Sequence, residues 1–147
     1  MNPTRSILIV TLTLGVTLGL TACQRGDGQI TTLNARIPAA PPGAGVMAGY
    51  LDLRNGTQQA LRCDAVSGPD FGAAEIHRTV VEDGQSRMLR EQIVEAVPGA
   101  IVSLAPGGLH LMLFRPQREL RAGDQTVLTL RCGDTAVSAT FQIQDLH

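Results

Sequence analysis

The chain has no lysine and no tryptophan, one tyrosine and three phenylalanines in 147 residues. Its 12 basic residues are therefore all arginine, set against 13 acidic ones for a formal net charge of −1. That balance excludes a phosphate-tracking nucleic-acid binder, which carries a basic stripe. With so few rings, a stacking platform for bases is also poorly supplied. No Cys-x-x-Cys occurs among the three cysteines, which argues against a thioredoxin-like redox enzyme. No Gly-x-Ser-x-Gly or similar nucleophile–base set is present either, so the reading is a binding protein and not an enzyme. Apolar runs are short. The apolar run near the start, Ser6 to Leu20, carries no charge and is about 15 residues, below the roughly 20 that span a bilayer as a helix.

What is present begins with that run. Arg5 precedes it, and Leu20-Thr21-Ala22-Cys23 follows, leading into the polar Gln24-Arg25-Gly26-Asp27-Gly28. A charged start, an apolar centre and small residues before a cleavage point form the layout of a secretory signal. The Leu-Thr-Ala-Cys end resembles the bacterial lipobox, in which the cysteine is acylated and becomes the mature first residue. Residues 1–22 are thus expected to be a lipoprotein signal peptide, Cys23 the lipidated residue and 23–34 a flexible tether. Residues 35–147 are expected to form one domain, since 125 mature residues suit a single core. Gln24 after the cysteine is not the Asp that often retains such proteins on the inner membrane. An exported, periplasmic protein on the outer membrane is the expectation.

Setting Cys23 aside leaves Cys63 and Cys132 as an even pair in an oxidising compartment. Both fall on the apolar side of an alternating pattern. They could form a disulfide closing a loop of about 70 residues, worth roughly 4 kcal/mol on the chain-entropy view. Two buried free thiols are the other possibility, because spacing does not fix geometry.

The mature chain reads as all β. Alternation marks strands over 46–54, 60–66, 74–81, 92–97, 100–104, 109–114, 126–132 and 136–143. Asn55-Gly56, Pro98-Gly99, Pro106-Gly107-Gly108, Gly123-Asp124 and Gly133-Asp134 punctuate them as turns. Short strands at such intervals indicate a sandwich or barrel. Only 87–97 is ambiguous between strand and helix. In Leu109-His110-Leu111-Met112-Leu113-Phe114 the leucines take one face, leaving His110 and Met112 together on the other. Glu75, His77 and Thr79 likewise share a face opposite Ala74 and Ile76, which predicts a His77 that is exposed or at a rim. Met88 follows the turn-like Glu82-Asp83-Gly84-Gln85 and is expected to fold back beside His77. Met47 reads as core. His147, at the chain end, reads as solvated.

Together these residues spell His77-x10-Met88-x21-His110-x-Met112. The pattern resembles the ligand set of the periplasmic copper chaperones called PCu(A)C, with all four positions and both spacings matched. A chance hit on four such positions is on the order of 1 in 10⁵. The resemblance extends over Pro41-Pro42-Gly43, Ala48-Gly49-Tyr50-Leu51, Glu75-Ile76-His77, Leu104 to Leu113 and Leu120-x-x-Gly123-Asp124, about residues 35 to 143. It implies a cupredoxin-like Greek-key β-sandwich that binds Cu(I) as a monomer. It also implies transfer of the ion towards the Cu(A) centre of cytochrome c oxidase subunit II or to another copper chaperone. The chemistry of the residues agrees. Thioethers are soft donors that favour Cu(I), and imidazole suits copper. Unlike thiolates, thioethers do not pair in an oxidising compartment. A copper-sequestering or resistance lipoprotein with the same site, and a structural lipoprotein binding no metal, are the alternatives. Two departures stand out: Ser86 occupies the place where family members often carry a second Met, and Arg78 stands where many carry Glu after the first His.

Overall fold

The computed structural model describes residues 27–145. The expected signal peptide, the expected lipidation site Cys23 and His147 lie outside the described residues. Eleven strands follow in chain order: β1 (Ile30–Pro38), β2 (Val46–Asn55), β3 (Leu61–Cys63), β4 (Ala65–Ser67), β5 (Phe71–Glu82), β6 (Gln85–Leu89), β7 (Val94–Ala96), β8 (Ile101–Leu104), β9 (Leu109–Pro116), β10 (Gln125–Cys132) and β11 (Thr135–Gln144). Among the described residues there is no helix, so the ambiguous 87–97 segment resolves into the end of β6 and the short β7.

Strand β2 organises the fold. Its first half, Val46–Gly49, pairs antiparallel with β9, and its second half pairs with β1 on one side and β8 on the other. The strand order runs β4-β10-β11-β1-β2-β9-β5-β6, with β3 and β7 forming a separate pair. A parallel pairing of β1 with β11 joins the first and last strands, which a simple meander of hairpins cannot produce. The result is a cupredoxin-like β-sandwich.

Alternation decides what lies inside. Met47, Leu51 and Leu53 of β2, Leu109, Leu111 and Leu113 of β9, Leu128 and Leu130 of β10, and Phe141 of β11 are all buried in one core. Each such aliphatic or aromatic side chain contributes about 1.5–3 kcal/mol relative to exposure. Gly49 lies among them, and a Cβ there would meet Leu111, Leu113 and Phe141 in ordinary van der Waals contact at 3.4–3.5 Å.

Two sequence expectations are corrected. Residues 30–34 are not tether: they begin β1, whose paired backbone holds a polar, half-exposed stretch that hydropathy alone reads as linker. The expected 60–66 strand breaks at Asp64, whose N–H donates to the Arg131 carbonyl. The side-chain alternation slips there as the chain leaves β7 for β10, so Leu61, Cys63 and Val66 are all buried. The Asn55-Gly56 turn is a corner, since β2 and β3 do not pair with each other. Fully buried Asn55 donates to the carbonyls of Gln59 and Ala96 and accepts from the Thr57 N–H and hydroxyl. Cys63 and Cys132 are joined by a disulfide that fastens β3 to the end of β10.

Candidate metal centre

Residues directly opposite each other on neighbouring strands point to the same face. In the β5–β9 ladder Glu75 faces Met112 and His77 faces His110, and in the β5–β6 ladder Thr79 faces Met88. His77, His110, Met112 and Met88 therefore stand on one face of the β9-β5-β6 sheet, with Leu109, Leu111 and Ile76 on the other, in the core. The 10-residue spacing from His77 to Met88 is that of a tight hairpin turning at Asp83-Gly84. Both residues have positive φ, 52° and 75°.

The two imidazoles meet edge to face, ring centroids 6.0 Å apart and planes at 67°, with the Phe114 ring 6.1 Å from His77. Their partners fix their tautomers. His77 Nε2–H donates to Glu75 Oε2 at 2.8 Å, and His110 Nδ1–H donates to the Gly108 carbonyl at 3.0 Å. Neither acceptor can donate, since one is a carbonyl and the other an ionised carboxylate. The lone pairs left over are His77 Nδ1 and His110 Nε2. His77 Nδ1 is a buried polar atom with no hydrogen-bond partner. Such an orphan is costly unless something else occupies it.

Glu75 is itself held. Arg90 donates to both of its oxygens, Nη2 at 2.8 Å and Nε at 3.1 Å. That guanidinium, and then the His77 N–H, lower the Glu75 carboxyl to about 2. The carboxylate is thus ionised and available as an acceptor throughout the neutral range. Histidines that bind metals are oriented in this way, by a carboxylate or carbonyl on the nitrogen that does not ligate.

The donor set is graded in depth. His77 and His110 are only 3% and 5% exposed, whereas Met112 is half-buried and Met88 is 52% exposed. His77 is therefore not the rim residue its strand pattern predicts. The direct pairing with His110, the Phe114 ring and the Glu75–Arg90 pair cover it from the solvent side. Arg78 does not crowd the site, because the residue after His77 points off the ligand face and into solvent. The cation beside the site is instead Arg90, neutralised by Glu75; no spacing in the sequence signals it, whereas Glu75 shares its strand face with His77 visibly. Ser86, opposite Val81, shares the face with Met88 and supplies no second thioether. Met47 is core, 6% exposed.

Among the described residues no three His, Cys, Asp or Glu side chains gather into a metal-binding group. The other soft donors on this face are the thioethers of Met88 and Met112. Two surface clefts, one along Pro41–Gly45 and Arg115–Leu120 and one along Thr57–Arg62 and Gly133–Thr135, are lined by none of these four side chains. The site is a patch of donors on a sheet face and not a small-molecule pocket.

Comparison with known proteins places this arrangement. Residues 30–143 match the model of the LpqE-like lipoprotein family. The chain is 30% identical over 152 residues to the lipoprotein Lxx21020 of Leifsonia xyli subsp. xyli, covering 94% of this chain and 89% of that one. Its backbone superposes on the copper-bound PCuAC domain from PmoF2 with a TM-score of 0.67 at 21% identity, over 81% of this chain and 95% of the other. It also superposes on CuI-DR1885 from Deinococcus radiodurans with a TM-score of 0.59 at 20% identity, over 84% and 86% of the two chains. The chain belongs to the LpqE-like lipoprotein family, and its cupredoxin-like β-sandwich is that of the PCuAC domains.

Proposed function

We propose that this protein is an exported copper carrier, anchored to the membrane through acylated Cys23, that binds one Cu(I) with His77 Nδ1, His110 Nε2 and the sulfurs of Met88 and Met112. One observation carries the reading. On a single sheet face, two imidazoles each have one nitrogen committed to an acceptor and one lone pair free, and two thioethers flank them. Such a set is neutral, soft and free of thiols, which selects Cu(I) in an oxidising compartment. The same folds in PmoF2 and Deinococcus radiodurans are described with copper and with Cu(I), respectively, which supports the choice.

The gradation in exposure suggests how the ion is handed on. Transfer proceeds by ligand exchange, with the exposed Met88 displaced first by an incoming donor and the buried imidazoles last. The recipient is the Cu(A) site of cytochrome c oxidase subunit II or another copper chaperone, and the carrier acts as a monomer on the outer membrane.

Competitive Cu(I) titration of residues 24–147 against a chromophoric chelator under reducing conditions tests the site. One equivalent bound tightly, and lost in Met112→Ala with the fold retained, is the expected result; unchanged affinity in that variant refutes the ligand assignment. Oxidase activity of a deletion strain at limiting copper tests delivery, and a strain sensitive only to excess copper would point to sequestration instead.

A further inference from the structure

The described chain begins at the end of the sandwich marked by Asn55 and Gly56, and it is tied down there. Asp27 pairs with Arg54 at 2.6 Å and accepts from the Gln29 N–H; the Gly28 N–H donates to the Gly56 carbonyl, and the Gly56 N–H to that of Gln29. The crossing is so close that a Cβ on Gly56 would lie 2.0 Å from Asp27 Oδ1. Only three residues lie between Cys23 and Asp27, four steps of chain with a reach of at most about 14 Å. An acyl group on Cys23 therefore holds this particular end of the domain at the bilayer.

The same end carries an apolar tip. Asn55 also receives the loop between β7 and β8: its N–H donates to the Ala100 carbonyl, and the Gly99 N–H donates to the Asn55 carbonyl. Val97 and Ile101 flank that loop and are 64% and 58% exposed. Ile101 is the cross-strand neighbour of Arg54, the residue that clasps Asp27, so it stands about two strand spacings, roughly 10 Å, from the chain's entry. From Ala96 to Phe114 the sequence holds no Asp, Glu, Lys or Arg, so nothing in the loop resists contact with acyl chains. The ionic residues nearby are paired, Arg54 with Asp27 and Arg62 with Glu95. Because Arg54 and Arg62 are each paired with a carboxylate, they form no polybasic patch to hold this end to anionic lipid.

We infer that the Val97–Ile101 loop is a membrane-contact surface: its two exposed apolar side chains enter the headgroup–acyl boundary beside the Cys23 anchor and fix the orientation of the domain. The inference rests on the lipid-anchored reading above. In that orientation His110, level with Tyr50 on β2, stands five residues along the strand from Asn55, roughly 17 Å from the bilayer surface. The metal centre is then presented at a set height instead of swinging on a loose tether.

The absence of tryptophan supplies the probe. Full-length lipidated protein is reconstituted into phosphatidylethanolamine–phosphatidylglycerol vesicles carrying brominated acyl chains, as three single-tryptophan variants: Val97→Trp, Ile101→Trp and Val46→Trp. Val46 is exposed too but begins β2, nine residues from Asn55. Vesicle flotation reports the anchor, and circular dichroism with Cu(I) titration reports the fold of each variant. Emission from positions 97 and 101 should fall by about half and shift to the blue, while position 46 is unaffected. Protein that floats with the vesicles yet shows no quenching at 97 and 101, or equal quenching at all three positions, overturns the docking surface and leaves the anchor standing. Protein that does not float overturns both.

Discussion

Replacing Glu75 by Ala removes no proposed copper ligand, yet it should weaken Cu(I) binding substantially. The carboxylate is the acceptor for His77 Nε2–H at 2.8 Å, and that bond is what leaves the buried, unpartnered Nδ1 unprotonated. Without it the ring can rotate or take the Nδ1–H tautomer, in which the ligating lone pair is absent. Outer-sphere partners of metal-bound histidines are worth about 10–100-fold in affinity, or roughly 1.4–2.7 kcal/mol. Glu75→Gln should fall between wild type and Glu75→Ala, because its amide oxygen still accepts from Nε2–H. Arg90→Ala should cost only a few-fold: the guanidinium is largely exposed, and a solvated ion pair contributes about 0–1 kcal/mol. The chelator competition used for the metal centre ranks these variants against His77→Ala, which should lose most. Long-range proton–nitrogen correlation in the apo protein reads the tautomer independently of copper. Glu75→Ala within about two-fold of wild type, or an Nδ1–H tautomer at His77 in the unaltered protein, would refute the reasoning.

Other outcomes follow from parts of the fold remote from copper. Removing the Cys63–Cys132 bridge as the double alanine variant frees a 69-residue separation; chain entropy sets the loss at about 4 kcal/mol, read by denaturant melts, with Cu(I) affinity unchanged. Asp70 accepts from Arg118 and from the Thr126 hydroxyl, and the Arg118 guanidinium foremost holds its carboxyl below 3.8. Because the folded value is the depressed one, its stabilisation is present above the unfolded value and lost as the pH falls through the folded one. Asp70→Asn should cost about 1–2 kcal/mol at pH 7, and a melting-temperature gap that stays constant down to pH 2 would contradict this. Leu111→Ala, fully buried behind the two histidines, should cost about 2–5 kcal/mol in a denaturant melt. Gly68→Ala should also destabilise in a thermal melt, since its Cβ would lie 2.4 Å from Leu128 Cδ2.

The long strands were legible because each has one face in the core and one in solvent, so period-two alternation survives in the letters. Strand β9 shows this most clearly, its three leucines and its His-x-Met separating by face as the register requires. Where that condition fails, so does the reading. β1 is half-exposed along most of its length and is held by backbone pairing on both sides, and backbone pairing has no letter. Asp64 lies where the chain changes partner strands, which reverses the alternation within a single apolar run.

The metal centre divides along the same line. Which four side chains share a face follows from parity along β9 and from the length of the β5–β6 hairpin, and both are countable. How deep each one lies does not follow, because depth depends on which strand is paired with which. His77 looks solvent-facing beside Glu75 and Thr79 and is buried because His110, its register partner 33 positions away, covers it together with Phe114 and the Glu75–Arg90 pair. The same pairing brings the imidazoles ring to ring, and the hairpin return brings Arg90 onto Glu75. The free nitrogens are selected locally, by the bonds of His77 to Glu75 and of His110 to Gly108, whereas the non-local pairing grades the donors by exposure. On the proposed reading, four residues at family spacing set the preference for Cu(I), and the ladder that joins them sets the order in which they release it.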